Sequence, residues 1–164
     1  MSKGLKLLAV FLWISFIGCL LVIFYLSFQT GEAAKEIDKS GIYTIAQRYY
    51  GVEDIPDEIF LTFTYKFRQI GRVILFCMLA FLGTCTIHLT FHKWPWIIRS
   101  IISGGILFFV AIFTEEYKNF LPTRHFSKEE MLLSVLGVFI GFFYISTITG
   151  VYAYTKWSIL KRNN

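Results

Sequence analysis

Cysteine is scarce in this sequence: only Cys19, Cys77 and Cys85 occur, all inside apolar runs. An odd number so placed is neither a disulfide framework nor a zinc ligand set, and the three read as small buried hydrophobes. Charge is also scarce. Asp, Glu, Lys and Arg make up 16% of the 164 residues, against 55% hydrophobic, a balance that soluble domains of this length rarely show. Catalytic signatures are missing as well. There is no P-loop and no dinucleotide fingerprint, and Ser27 has no nearby histidine to activate it. His88 and His92 are spaced i, i+4, but no acid accompanies them, so no metal is expected. Nor is nucleic acid expected as a partner. The net charge of +5 comes from Lys and Arg lying beside apolar runs, not from a solvated basic patch. No internal repeat and no low-complexity tract occur.

What is present is four long apolar runs, at 5–28, 73–91, 97–114 and 131–154. Each is about long enough to cross a bilayer core of ~30 Å as a helix, and none carries a charge in its middle third. The first reads as an uncleaved anchor, because no small-x-small cleavage site follows it. The expected fold is therefore all-α: a polytopic membrane protein with four transmembrane helices in one bundle, residues 1–164 forming a single unit. Gly137 and Gly141 form a GxxxG in the fourth run, and Ser100, Ser103, Gly104 and Gly105 enrich the third. These suit close helix packing, within the bundle rather than between copies. The oligomeric state is left open.

Four spans put both termini on one side, which leaves 29–72 and 115–130 together on the other. All eleven acidic residues fall in those two segments. The opposite side holds Lys3, Lys6, Lys93, Arg99, Lys156, Lys161 and Arg162 and no acid. The basic side marks the cytoplasm, so a multi-pass protein of the plasma membrane with both termini cytoplasmic is expected. Trp94, Trp96 and Trp157 would form an aromatic belt there.

The outer segments are patterned. Between Ala33 and Tyr50, the residues Ile37, Ile42, Ile45, Ala46 and Tyr49 recur at helical spacing, which predicts an amphipathic helix on the outer membrane surface. Pro56 among acids predicts a helix start that runs on into the second span. Tyr65, Arg68 and Arg72 would share one face of it. Adjacent Glu115 and Glu116 point about 100° apart on a helix, so only one can face the bundle. That one needs a cation, with Arg68, Arg72 and Arg124 as candidates. Pro122 stops helical pairing, Arg124 offers a planar fork for carboxylate or phosphate, and Glu129 and Glu130 suit a helix N-terminus. Two readings stay open: a salt-bridge lid over the helix ends, or a site for an anionic amphiphile.

Three of these segments resemble the VanZ-like family of small membrane proteins. YLSFQTG at the end of the first run is similar to the family's S-x-Q-S-G. The Arg68–Arg72 segment is similar to its basic entry to the second span. In EEYKNFLPTRHFSKEEMLLSVLGVFIG, Phe120, Pro122, Arg124, Ser127, Gly137 and Gly141 fall in register, and Glu130 takes the place of an aspartate. The chain departs from the pattern at Arg72, Thr114, Lys118 and Ser134. The resemblance implies a role in glycopeptide resistance at the cell envelope, against teicoplanin above all. It implies membrane lipid as a partner, with a lipid-linked wall precursor or the antibiotic itself as the bound species, and no cofactor. Gln29, Arg68, Arg72, Glu115, Lys118, Arg124 and Glu130 are the ligand-binding candidates, and no catalytic residue is assigned. The alternatives are an enzyme acting on an envelope lipid or wall precursor, and a structural subunit of a membrane complex.

Overall fold

The computed structural model describes residues 3–28, 31–51, 55–120 and 126–162, with backbone only at 31–40, 157, 160 and 162. The described chain is helical throughout: α1 (Lys3–Phe28), α2 (Gly31–Tyr50), α3 (Asp57–Thr90), α4 (Trp96–Glu116), a 3₁₀ turn (Tyr117–Phe120) and α5 (Lys128–Arg162). Four segments, Lys3–Phe28, Asp57–Thr90, Trp96–Phe120 and Lys128–Lys156, are long and apolar enough to cross a membrane. This is a membrane-embedded helical protein.

Local chemistry sets the ends of these helices. Pro56 and Pro95 are held extended (φ −55° and −53°) just before α3 and α4, and their carbonyls accept the first helical bonds, from Phe60 at 3.0 Å and Arg99 at 3.3 Å. A proline has no N–H to leave orphaned at such a start. Ser127 caps α5, its hydroxyl accepting from Glu130 N–H at 3.4 Å and its carbonyl from Met131 at 3.0 Å. Gly51 closes α2 at φ 67°, a left-handed conformation that glycine adopts without a Cβ penalty.

Several helices outrun the apolar stretches that betray them. α3 has 34 residues, about 51 Å at 1.5 Å per residue against a bilayer core of ~30 Å. Its first turns extend past the apolar band and carry α2. There Tyr43 meets Phe60 with ring centroids 5.3 Å apart, and Tyr49 meets Phe63 at 5.7 Å. Ile42 and Ala46 of α2 are buried, whereas Ile45 and Tyr49 are exposed. The buried face of α2 is thus narrower than the predicted apolar stripe.

α3 is the central rod, packed against α1, α4 and α5. α1 runs antiparallel to it: Trp13 Nε1 donates to Thr90 Oγ1 at 3.1 Å, and three residues on Phe16 lies against Gly83. α5 runs parallel to α3, pairing with it at a constant separation of 64 positions: Tyr65 with Glu129, Val73 with Gly137, Cys77 with Gly141. α4 returns between them. The core gathers Ile23, Phe76, Leu79, Ala80, Leu107, Val110, Ala111 and Val138.

Gly137 and Gly141 form the α3–α5 seam. A Cβ on Gly137 would meet the Val73 carbonyl oxygen at 2.5 Å, and one on Gly141 would collide with that of Cys77. Ser100, Ser103 and Gly104 are buried as packing residues of α4, but Gly105 is exposed and has nothing within 4 Å of its Cβ position. It belongs to no seam. Trp96 departs from the expected belt: its ring covers Gly150 and its Nε1 donates to Thr149 Oγ1 at 3.2 Å, tying α4 to α5. Trp94 is exposed beside Phe91, and the Trp157 side chain lies outside the described residues.

Gly141→Val forces α3 and α5 apart and is expected to destabilise by about 1–3 kcal/mol or more. Gly105→Ala meets no neighbour and is expected to be neutral or stabilising by up to ~1 kcal/mol through helix propensity. Thermal unfolding in detergent compares them, and equal midpoints would contradict the close seam.

Candidate functional site

At the end where α1 and α4 stop and α5 begins, four charged side chains close a ring. Arg72 of α3 pairs through Nη1 with Glu115 Oε1 and through Nη2 with Glu130 Oε2 at 2.8 Å. Lys118 Nζ donates to both Glu115 oxygens, at 2.7 and 2.9 Å, and to Glu130 Oε2 at 2.6 Å. Cation and anion alternate around the circuit, so the ring is neutral. Its members come from α3, the end of α4, the 3₁₀ turn and the first turn of α5.

The local structure delivers each of them. Of the two adjacent glutamates, Glu115 faces inward at 2% exposure while Glu116 is exposed. The 3₁₀ turn after Glu116 tightens the backbone, and i and i+3 side chains eclipse in such a turn. Lys118 is thereby set over Glu115 and is itself only 2% exposed. Tyr117 points the other way and packs on Phe28 of α1 with ring centroids 4.5 Å apart. Ser127 and Glu130 have the spacing of a capping box, but the Glu130 carboxylate goes to Arg72 and Lys118 instead of back to its cap. Ser134 Oγ donates to the Glu130 carbonyl at 3.1 Å, and Tyr65 OH donates to Glu129 at 3.2 Å.

Burial divides the ring. The Glu115 and Lys118 side chains are 3% and 2% exposed, whereas Arg72 and Glu130 are 21% and 32% exposed and form the open edge. A buried carboxylate stands only with cations and hydrogen bonds around it, and Glu115 has them on both oxygens. The arrangement can hold helix ends together, and at its open edge Arg72 can present a guanidinium to an outside anion.

Among the sequence candidates, Arg72, Glu115, Lys118 and Glu130 are brought together. Arg68 lies exposed on α3 about one turn before Arg72. Gln29 and Arg124, like Pro122, lie outside the described residues. Sequence reasoning named Arg72 among the partners of Glu115 but overlooked Lys118, although the i, i+3 spacing of Glu115 and Lys118 is a readable ion-pair signal. It also gave Glu130 to the helix dipole and missed its place as the group that closes the circuit. No group of three or more His, Cys, Asp or Glu able to hold a metal occurs among the described residues.

Comparison with protein-family models, with curated proteins and with solved structures found no match.

Lys118→Met leaves Glu115 buried with one of its two cations gone and is expected to cost about 3–5 kcal/mol. Adding Glu115→Gln should recover part of this, with a coupling of about 0.5–3 kcal/mol. Glu116→Gln, on the outer side, should stay within about 0.5 kcal/mol. Unfolding free energies in mixed micelles measure all three, and strictly additive losses would mean that Glu115 and Lys118 do not act as a pair.

Proposed function

We propose that this chain is a VanZ-like protein of the plasma membrane that contributes to glycopeptide and lipoglycopeptide resistance by holding an anionic amphiphile at its outer rim. One observation carries the reading. Arg72 lies in one, and Glu115, Lys118 and Glu130 in another, of the stretches over which the family resemblance extends, and these are the side chains that meet in the ring. The absence of acid from the opposite end supports both termini being cytoplasmic, since short basic segments stay on that side.

The ring suggests how an anion would be taken. A carboxylate or phosphate arriving at the open edge displaces Glu130 from Arg72 Nη2. Glu130 is not stranded, because Lys118 holds the same oxygen at 2.6 Å. Glu115 keeps Lys118 and the other arm of Arg72. The planar fork of Arg72 then spans Glu115 with one arm and either anion with the other. At the same end of the bundle Phe28, Phe113, Tyr117 and Phe120 lie ring against ring and offer apolar surface to a chain or ring system. A lipid-linked wall precursor and a lipoglycopeptide share this chemistry. Both oxygens of Glu115 already accept from cations, which favours binding over an enzymatic role for that carboxylate.

The complete matching of charge within the ring favours a second reading, a clamp that serves only to hold the bundle or a larger complex. Arg72→Lys separates the two, because it keeps the charge and gives up the fork. Teicoplanin susceptibility of a host expressing the wild-type chain, Arg72→Lys or Arg72→Gln is the measurement, with thermal stability of each purified protein alongside. Binding predicts that Arg72→Lys loses protection while its stability changes little. Protection retained in Arg72→Lys favours the clamp, and unchanged susceptibility on deleting the wild-type chain would sink the resistance reading.

A further inference from the structure

The opposite end of the bundle holds a second polar corner, about 24 Å from the ring along α3, given 16 residues from Arg72 to His88 at 1.5 Å each. It lies where α3 ends and α4 begins. His88 is 5% exposed, and its Nε2 lies 3.5 Å from Ser100 Oγ. Arg99 Nη1 donates to the His88 carbonyl at 3.0 Å. That carbonyl is among the last four of α3, which have no partner within the helix, so Arg99 caps it. Capping uses one N–H and neutralises no charge. Arg99 Nε is enclosed and makes no hydrogen bond, which leaves Nη2 as the edge able to meet an outside group.

Arg99 makes no ion pair with a carboxylate among the described residues, and the acids whose side chains are described, Asp57, Glu58, Glu115, Glu116, Glu129 and Glu130, lie at the other end. The neighbouring charges add to the excess. Lys93 is exposed in the α3–α4 turn, and the first turn of α4 contributes the positive end of its dipole. Ile106, 45% exposed, lies on the face of α4 that bears Arg99, two turns further into the apolar band. A guanidinium pinned at one arm and without a counter-ion among the described residues thus sits at one edge of the apolar band, with an exposed apolar side chain deeper on the same helix face.

We propose that the corner formed by His88, Lys93 and Arg99 binds the phosphate of a membrane lipid headgroup. The His88 carbonyl orients the guanidinium, Arg99 Nη2 donates to a phosphate oxygen, Lys93 adds charge from the turn, and a lipid chain runs along Ile106. This differs from an arginine that snorkels freely, because one arm is pinned to a backbone acceptor and the free edge has a set direction. It does not depend on the role of the ring or on which leaflet the corner meets.

Native mass spectrometry of the delipidated full chain in detergent tests this, with phosphatidylglycerol and phosphate-free diacylglycerol as probes. Phosphatidylglycerol should bind, diacylglycerol should not, and millimolar inorganic phosphate should compete. Arg99→Gln, which removes the charge and whose shorter amide falls short of the His88 carbonyl, should weaken phosphatidylglycerol binding about tenfold, the size of one lost charge-assisted hydrogen bond, with thermal stability recorded alongside. Arg99→Lys should weaken it less. Equal binding of the two lipids, or undiminished phosphatidylglycerol binding by Arg99→Gln, overturns the proposal. So does binding of inorganic phosphate without binding of the lipid. Should Arg99→Gln fail to fold, the comparison of the two lipids on the wild-type chain decides.

Discussion

A nearly inaccessible carboxylate at the end of a membrane helix is the constraint around which this bundle is organised. Glu115 is accommodated at 2% exposure because Arg72 and Lys118 reach it from α3 and from the 3₁₀ turn. Satisfying it fixes several elements at once: the inward rotation of α4, the tightening of the chain beyond Glu116, and the height of α5, whose Glu130 balances the second positive charge. Desolvating such a cluster is costly, and breaking it with one partner left behind costs more than never having formed it. The ring therefore specifies an arrangement more than it adds stability.

The seam beneath the ring makes that arrangement reachable. α3 and α5 run parallel, which within one chain requires α4 as the return. Their backbones approach closely because Gly137 and Gly141 present no side chain to the carbonyls of Val73 and Cys77. In an apolar solvent, burial of hydrocarbon gives little drive for helices to associate, so close packing of small residues and interhelical polar contacts take over that role. Both occur on the same pair of helices, and the constant offset of 64 positions links them. A slip of one residue along the seam would displace Glu130 from Arg72 and Lys118.

The two ends of the bundle solve opposite electrostatic problems. At one, acids and bases cancel in a closed circuit. At the other, Arg99 caps a helix carbonyl and keeps its full charge. The first end carries a matched set that an incoming anion can enter only by exchange with Glu130. The second is unbalanced and attracts anions directly. Two ends built this way make the molecule electrically asymmetric along its helix axes, and the same asymmetry underlies its proposed orientation in the membrane.

Much of this was legible in the sequence, because hydrocarbon thickness and helix rise convert apolar run length directly into spans. The four spans, the helix start at Pro56, the helix around Ala46 and the packing role of Gly137 and Gly141 follow from local patterns. The register between helices did not, because it depends on which distant residues meet. Lys118 looked like an available cation and proved enclosed between two glutamates. Trp96 looked like an interfacial anchor and proved to be a bolt between α4 and α5, and Gly105 sat in a small-residue stretch yet packs against nothing. In each case, periodicity gives a direction on the helix, but the neighbour found in that direction is set by the packing of the other helices. The sequence by itself thus determined the number of membrane-crossing helices and the exclusion of acid from one end of them. Only the tertiary structure decided that Arg72, Glu115, Lys118 and Glu130 share one ring, because charge pairing acts over a few ångströms and that proximity arises only when three helices pack.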